Sequence, residues 1–165
     1  RRESGSIVLI GMPGCGKSTV GAALAALTGR EAVDLDGIIA RQAGCSIPDI
    51  FRREGEEGFR ARERAAAADA GRLSGKILIT GGGIVKSPEN YHALHQNGRI
   101  YQLERPLGLL PREGRPLSLS SDLEEMYRER LPLYRNFRDE VVQNTGTPEE
   151  AAEEIWRDYC AHIGD

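Results

Sequence analysis

Short apolar runs alternate along the chain with longer stretches of helical pattern. The runs are rich in Ile, Val and Leu, which is typical of parallel strands covered on both faces, and they occupy 7–10, 32–35, 76–80, 100–103 and 140–143. Helical stretches occupy 18–27, 37–72, 87–96, 121–138 and the segment after 147. This alternation predicts an α/β fold in which a five-stranded parallel sheet is flanked by helices in three layers.

Local signals refine the helices. Gly44 and Gly55 are expected to break the 37–72 stretch, and Pro132 to bend the helix that contains it. Capping patterns predict helix starts at Ser87-Pro88-Glu89, Ser121-Asp122-Leu123-Glu124 and Thr147-Pro148-Glu149-Glu150. The helix residues predicted to face the core are Ile38, Ile39, Ile50, Phe51, Phe59, Ala152, Ile155, Trp156 and Tyr159.

Length and composition favour one domain. The 165 residues are 39% apolar and 28% charged, which suffices for a core without disulfide or metal support. We expect a single domain over 1–165 with its core at about 6–163. Because the chain begins without Met, residues 1–5 are expected to be a tail, a trimmed end or a junction to a longer protein.

Charge and cysteine content limit the classes of partner and the cellular compartment that we expect. The net charge of −3 argues against nucleic acid, and no apolar run is long enough to predict a membrane partner. Three widely spaced cysteines predict neither a disulfide framework nor a zinc site, and they favour the cytoplasm. Of the 22 basic residues 19 are arginine. Codon usage and the binding of small anions by guanidinium groups both account for that excess.

The strongest single motif spans 11–18. Its residues, Gly11-Met12-Pro13-Gly14-Cys15-Gly16-Lys17-Ser18, match G-x-x-x-x-G-K-[ST], and the motif follows a strand and precedes a helix, as it requires. The backbone N–H groups of such a loop surround phosphate oxygens, and the helix dipole assists them. The predicted contacts to ATP are Gly14, Cys15, Gly16, Lys17, Ser18 and Thr19. Lys17 would neutralise phosphate charge and Ser18 would bind Mg²⁺.

This phosphate loop indicates a nucleotide without naming the reaction. GTPases and motor ATPases need more chain for switches or partner domains. A single domain of this length is most economically a small-molecule kinase.

Two carboxylates follow the second predicted strand. Asp34 and Asp36 flank Leu35, and strand alternation would place both carboxylates on one face. One can bind Mg²⁺ through water while the other accepts a hydrogen bond from a hydroxyl. A turn or helix-capping role is about equally common for such residues.

Two further segments are candidates for substrate binding. Arg60 could bind a carboxylate, with Glu63 one helical turn on fixing its guanidinium, although this pattern alone is more often a solvated helix face. Gly81-Gly82-Gly83 after the third strand indicates a close approach to the backbone, or an ordinary turn. Because parallel strands end at one edge of a sheet, 11–18, 34–36 and 81–83 are expected to converge.

Taken together, these residues resemble the shikimate kinase family over nearly the whole chain, from about Ser6 to the last helix. Beside the phosphate loop, the resemblance rests on Asp34-Leu35-Asp36, Ser46-Ile47-Pro48-Asp49-Ile50-Phe51, Gly58-Phe59-Arg60 with Glu63, Thr80-Gly81-Gly82-Gly83, Arg115-Pro116-Leu117 and Arg130-Leu131-Pro132-Leu133-Tyr134. The phosphate loop is shared by many families, whereas this ordered combination is specific to one.

The resemblance implies a fold like that of nucleoside monophosphate kinases and a defined reaction. The γ-phosphoryl group of ATP would pass to the 3-hydroxyl of shikimate, in aromatic amino-acid biosynthesis. The implied shikimate contacts are Asp36, Arg60, Gly82, Gly83 and Arg130. Asp36 would hold the reacting hydroxyl, and the two arginines would bind the carboxylate.

The resemblance also implies the nucleotide side of the site. Mg²⁺ would be bound by Ser18 and, through water, by Asp34. Arg115 matches a lid arginine that closes over the phosphates. Together with Lys17 and Asp36, it is one of the three catalytic residues that the resemblance implies. The lid between Leu103 and Arg115 is short, however, and 144–147 lack the basic residue expected beside adenine.

Two other functions compete with this interpretation. A related kinase of gluconate or another hydroxy acid would need the phosphate loop without the pairing of Asp36 with Arg60 and Arg130. A nucleotide-binding module without catalysis would tolerate the loss of Asp36 or Arg115. We expect a monomeric enzyme, or a module of a larger enzyme of the same pathway.

Overall fold

Five parallel strands form one sheet: β1 (Ser6–Ile10), β2 (Glu31–Asp34), β3 (Lys76–Ile79), β4 (Gly98–Glu104) and β5 (Glu140–Gln143). The structure is a computed structural model, and it describes residues 5–110 and 118–162. The strand order is β2-β3-β1-β4-β5. Central β1 is buried along its whole length, and its Val8 pairs with Leu78 of β3 and Ile100 of β4. The predicted fold class is confirmed.

In the described residues, six helices connect or cover the strands: α1 (Lys17–Thr28), α2 (Leu35–Ala43), α3 (Ile47–Gly71), α4 (Pro88–His95), α5 (Ser118–Phe137) and α6 (Pro148–His162). Short 3₁₀ turns lie at Ile84–Lys86 and Leu107–Leu109. The predicted breaks are confirmed, because α2 ends at Gly44 and α3 is interrupted at Gly55, whose φ is 73°.

The three predicted capping patterns agree with the structure to different degrees. At α6, the Thr147 N–H donates to Glu150 Oε1 at 2.7 Å and the Glu150 N–H donates to Thr147 Oγ1 at 3.1 Å, a complete capping box. At α4, Pro88 is the first helical residue but the Ser87 side chain makes no capping bond. The start predicted at Ser121 is wrong, because α5 begins three residues earlier at Ser118. The helix contains Pro132 and continues past it to Phe137.

The second strand also ends earlier than predicted. β2 stops at Asp34, and Leu35 already begins α2, so Asp36 lies in the first turn of a helix. The expectation that strand alternation places both carboxylates on one face is therefore wrong. The backbone turns into a helix at Leu35, which buries that side chain completely in the main core.

The core fills the space between sheet and helices, and a smaller cluster lies between α2 and α3. That cluster contains Ile39, Ile50, Phe59 and Ala66. Phe51, predicted to lie in the core, is exposed and covers Phe59 from outside with ring centroids 4.7 Å apart. Nowhere in residues 5–110 and 118–162 is a helix both long and apolar enough to span a lipid bilayer.

Candidate active site

A cleft of about 490 Å³ opens at the carboxyl ends of β1, β2 and β3. It is lined by the three segments predicted to converge, namely the phosphate loop, the pair of aspartates and the start of the glycine turn. The lining residues are Pro13, Gly14, Gly16, Lys17, Ser18, Thr19, Asp34, Asp36, Ile79, Thr80, Gly81 and Gly82. The topology explains the convergence, because all three strands point the same way and end at one edge.

The phosphate loop holds Lys17 by backbone contacts. Its Nζ donates to the carbonyl oxygens of Gly11 at 2.7 Å and Met12 at 3.0 Å. Burial lowers the pKa of Lys17, because the charged ammonium has lost most of its water. The carbonyl dipoles and the nearby Asp36 compensate only in part for the buried cation, so this site favours the arrival of an anion.

Cys15 differs from the other predicted nucleotide contacts in the loop. Its thiol is buried, and its backbone N–H donates to the Met12 carbonyl at 3.1 Å. Burial raises the pKa of this thiol. The side chain therefore fills space beneath the loop, while Ser18 and Thr19 face the cleft.

Asp36 has an unused acceptor. Its Oδ1 is buried and accepts no hydrogen bond. Burial and the neighbouring Asp34 raise the pKa of Asp36, while the positive charges of Lys17 and Arg60 oppose that shift. A buried acceptor without a partner costs about 1–3 kcal/mol, so a hydroxyl bound here would relieve that cost.

Arg60 and Glu63 form a largely buried ion pair on α3. Arg60 Nη1 donates to Glu63 Oε1 at 2.9 Å, and the two side chains are 13% and 2% exposed. Arg60 Nε also donates to Glu56 Oε2 at 3.2 Å. Burial raises the pKa of Glu63, against the lowering effect of Arg60. A solvated helix face is thus the wrong interpretation of this pattern.

The glycine turn at 81–83 brings three polar side chains together. A Cβ atom placed on its successive residues would lie 2.8 Å from Asp36 Oδ1, 3.2 Å from Arg130 Nη1 and 2.5 Å from Arg60 Nη1. Side chains at these positions would push the carboxylate and the two guanidinium groups away. The turn is therefore a meeting point of one anion and two cations at the edge of the cleft.

Tyr134 fixes this turn, whereas the sequence placed it in a segment that carries the family resemblance and gave it no role. Its hydroxyl donates to the Gly82 carbonyl at 2.7 Å, and its ring is fully buried in the core. Burial raises the pKa of Tyr134 to about 12, so the hydroxyl remains a donor. Two signals were available for Tyr134: its place in the 130–134 segment of the resemblance, and its spacing of one helical turn from Arg130.

A second cleft of about 280 Å³ lies on the other side of the phosphate loop. Its walls come from the loop, the residue after β4 and the residues after β5, and they comprise Gly14, Gly16, Thr19, Arg105, Asn144, Gly146 and Pro148. The strand order explains its position, because β3 and β4 flank β1 on opposite sides. The two clefts therefore meet at the phosphate loop.

The predicted metal ligands lie among the described residues, and the predicted lid arginine does not. In the part of the chain that the structure describes, no three His, Cys, Asp or Glu side chains cluster as a metal site. Mg²⁺ usually takes only one or two protein ligands and completes its shell with water and phosphate. Ser18 and Asp34, which line one cleft, fit that requirement. Arg115 lies outside the described residues.

Comparison with known proteins identifies relatives for nearly the whole chain. The family model described as shikimate kinase matches residues 13–160. The shikimate kinase of Halorhodospira halophila is 43% identical, with 88% of this chain and 87% of that protein covered. The shikimate kinase of Synechococcus strain CC9605 is 39% identical over 94% of this chain and 83% of the relative.

Solved structures agree with these relatives. A shikimate kinase from Acinetobacter baumannii in complex with shikimate superposes with a TM-score of 0.89 at 34% identity, covering 97% of this chain and 95% of that one. A gluconokinase from Sinorhizobium meliloti reaches a TM-score of 0.56 at 16% identity, with 99% and 96% covered. The second similarity extends to the fold alone.

Proposed function

The chain belongs to the shikimate kinase family, whose members are ATP-dependent kinases, and we propose that it transfers the γ-phosphoryl group of ATP to the 3-hydroxyl of shikimate. One observation carries this proposal. The buried, unpartnered Oδ1 of Asp36 faces the same glycine turn as Arg60 and Arg130, beside the phosphate loop. A hydroxy acid needs just such a set, an acceptor for its hydroxyl and cations for its carboxylate.

The acceptor side of the site would orient shikimate. Arg60 and Arg130 would bind the carboxylate, since planar guanidinium groups match its geometry. Asp36 Oδ1 would accept a hydrogen bond from the reacting hydroxyl and later take its proton. The raised pKa of Asp36 suits that role, because a carboxylate whose pKa lies nearer neutrality accepts a proton more readily.

The nucleotide side would neutralise charge. Phosphoryl transfer passes through a loose transition state, so catalysis rests on positioning and on charge stabilisation. Lys17 would bind phosphate oxygens in the loop. Ser18 and, through water, Asp34 would hold Mg²⁺, which supplies additional positive charge to the phosphates. The second cleft is continuous with the loop and would receive the rest of the nucleotide.

The proposal also covers the lid, the cellular compartment and the oligomeric state. Arg115 would close over the phosphates and exclude water, which limits wasteful hydrolysis of ATP. All three cysteines are free thiols, in keeping with a reducing cytoplasm. We expect a monomer, or a module of a larger pathway enzyme. The mass of the purified chain in solution tests whether it is monomeric.

A substrate panel tests the proposed reaction. The purified chain is supplied with ATP and Mg²⁺ and with shikimate, gluconate or a nucleoside monophosphate, and ADP formation is followed. We expect turnover with shikimate and not with the others. Turnover of gluconate alone would support the related kinase, and ATP binding without any phosphorylation would support the non-catalytic module.

A further inference from the structure

Asn144 joins three parts of the nucleotide side. It follows β5 directly and is only 4% exposed. Its backbone N–H donates to the Glu104 carbonyl at 2.7 Å, and its own carbonyl accepts a hydrogen bond from Arg105 Nη1 at 3.0 Å. Its side-chain Nδ2 donates to the Cys15 carbonyl of the phosphate loop at 2.8 Å. A side chain from the far end of the sequence thus holds the loop.

The bond to Cys15 fixes a particular peptide group. The carbonyl of Cys15 and the N–H of Gly16 belong to one planar trans peptide, in which they point in opposite directions. Holding the carbonyl toward Asn144 therefore turns the Gly16 N–H to the other side of the loop. Loops of this kind bind phosphate through inward-pointing N–H groups, so the direction of each one matters.

The fit between Asn144 and Gly16 is close. Gly16 has φ of 101°, a conformation that residues other than glycine rarely adopt. A Cβ on Gly16 would collide with Asn144 Nδ2. The glycine of the motif thus gives the amide room to reach the loop backbone.

We propose that Asn144 is a positioning residue for ATP binding, whose amide sets the Cys15–Gly16 peptide so that the Gly16 N–H faces the phosphates, and that Arg105 holds Asn144 in place. The inference rests on the proposed binding of ATP in the phosphate loop. Asn144 is uncharged, so this role does not depend on a charge that neutralises the phosphates. It also assigns a function to a segment that lacks the basic residue expected there.

Two substitutions of Asn144 separate hydrogen bonding from packing. Asn144→Ala removes the donor and leaves a void, whereas Asn144→Asp keeps the volume and replaces the donor with an acceptor that repels the Cys15 carbonyl. We expect the ATP Kd and KM to rise about tenfold in the alanine variant, as for loss of one well-placed hydrogen bond. We expect at least that rise in the aspartate variant, and less than about twofold change in the shikimate KM for both.

Val142→Ala is the matched control. Val142 lies two residues earlier on β5 and is 1% exposed, so its truncation also leaves a void in the core. It should lower the melting temperature while leaving the ATP KM within about twofold of the wild-type value. Melting curves for all variants would show whether a change in KM simply follows lost stability.

Isothermal titration of ATP with the full chain distinguishes the possible failures. If the wild-type chain binds ATP and Asn144→Asp binds it equally well, the positioning role is overturned while the proposed function stands. A wild-type chain that does not bind ATP overturns both. A tenfold rise confined to ATP, and larger for aspartate than for the control, supports the inference.

Arg105 is tested by a double-mutant cycle. Arg105→Met should weaken ATP binding by itself, and it should add little in the Asn144→Ala background if it acts through Asn144. Fully additive effects would show that Arg105 acts on the nucleotide by another route, and that part of the inference would fall.

Discussion

Replacing Arg60 by alanine tests the substrate side most directly. We expect the shikimate KM to rise about 30-fold and the ATP KM to change less than about threefold. A hydrogen bond to a charged group contributes about 1.5–3 kcal/mol. A loss of about 2 kcal/mol corresponds to about 30-fold in a dissociation constant. The effect should be confined to shikimate because Arg60 contacts the turn that follows β3, at Gly83, whereas the phosphate loop follows β1.

Arg62 provides the matched control two residues away on the same helix. It pairs with Glu54 through two hydrogen bonds of 2.8 Å, but both side chains are 36% exposed. Exposed ion pairs contribute about 0–1 kcal/mol, so Arg62→Ala should leave both KM values within about twofold. Arg60→Lys keeps the charge and loses the planar guanidinium group. Its affinity for shikimate should therefore lie between those of Arg60→Ala and the wild type.

Stability gives a second measurement on the same variants. Without Arg60, the buried Glu63 loses its cation and its already raised pKa should rise further. A carboxyl with a folded-state pKa above its unfolded value costs stability once it ionises, so the melting temperature of Arg60→Ala should fall as pH rises through that pKa. Glu63→Gln in the same background should reverse part of the loss.

A coupled assay of ADP release, run with each substrate varied in turn, measures the kinetic effect. Equal changes in the two KM values would show that Arg60 does not bind the acceptor, and the reasoning above would be refuted. The same conclusion would follow if Arg60→Ala behaved like Arg62→Ala.

Three further predictions follow from neighbouring contacts. Asp36→Asn should lower kcat at least about 100-fold. It should also raise the melting temperature at pH 8, because ionised Asp36 is destabilising in its buried site. This gain in stability should vanish in acid, where Asp36 is protonated, and a gain that persists there would contradict the stated cause. Tyr134→Phe loses the bond to the Gly82 carbonyl, worth about 1 kcal/mol, and should raise the shikimate KM about fivefold; a larger rise in the ATP KM would contradict this. Chelation of Mg²⁺ should abolish turnover, and Ser18→Ala should raise the Mg²⁺ concentration for half-maximal rate at least about tenfold, as a titration of rate against Mg²⁺ would show.

The sequence by itself determined the backbone of this protein in large part. Apolar runs predicted five strands, because the central strands of a parallel sheet are buried on both faces. The edge strand β5 also has the predicted bounds, although Val142 is its one buried residue. Gly44 and Gly55 predicted breaks in the helices, and Thr147 with Glu150 predicted the start of α6. These features depend on side chains and backbone a few residues apart, so local chemistry is sufficient to predict them.

The sequence predicted the bounds of an element less well where the local residues are compatible with more than one type of secondary structure. The second strand and α5 both have bounds that differ from the prediction, at Asp34 and at Ser118. Leu35 fits the end of a strand and the start of a helix equally well. Only its burial in the main core fixes the turn into α2.

The tertiary structure alone decided how the polar residues of the site contact one another. The exposure of Glu63 cannot be known from its helix, since it is buried by packing against other parts of the chain. Asn144 meets Cys15 across 129 residues of sequence, and Tyr134 meets Gly82 across 52. Such bonds leave no periodic signal, because the strand order of the sheet brings their partners together. The sequence therefore determined the elements and the phosphate loop, and packing determined how their side chains meet.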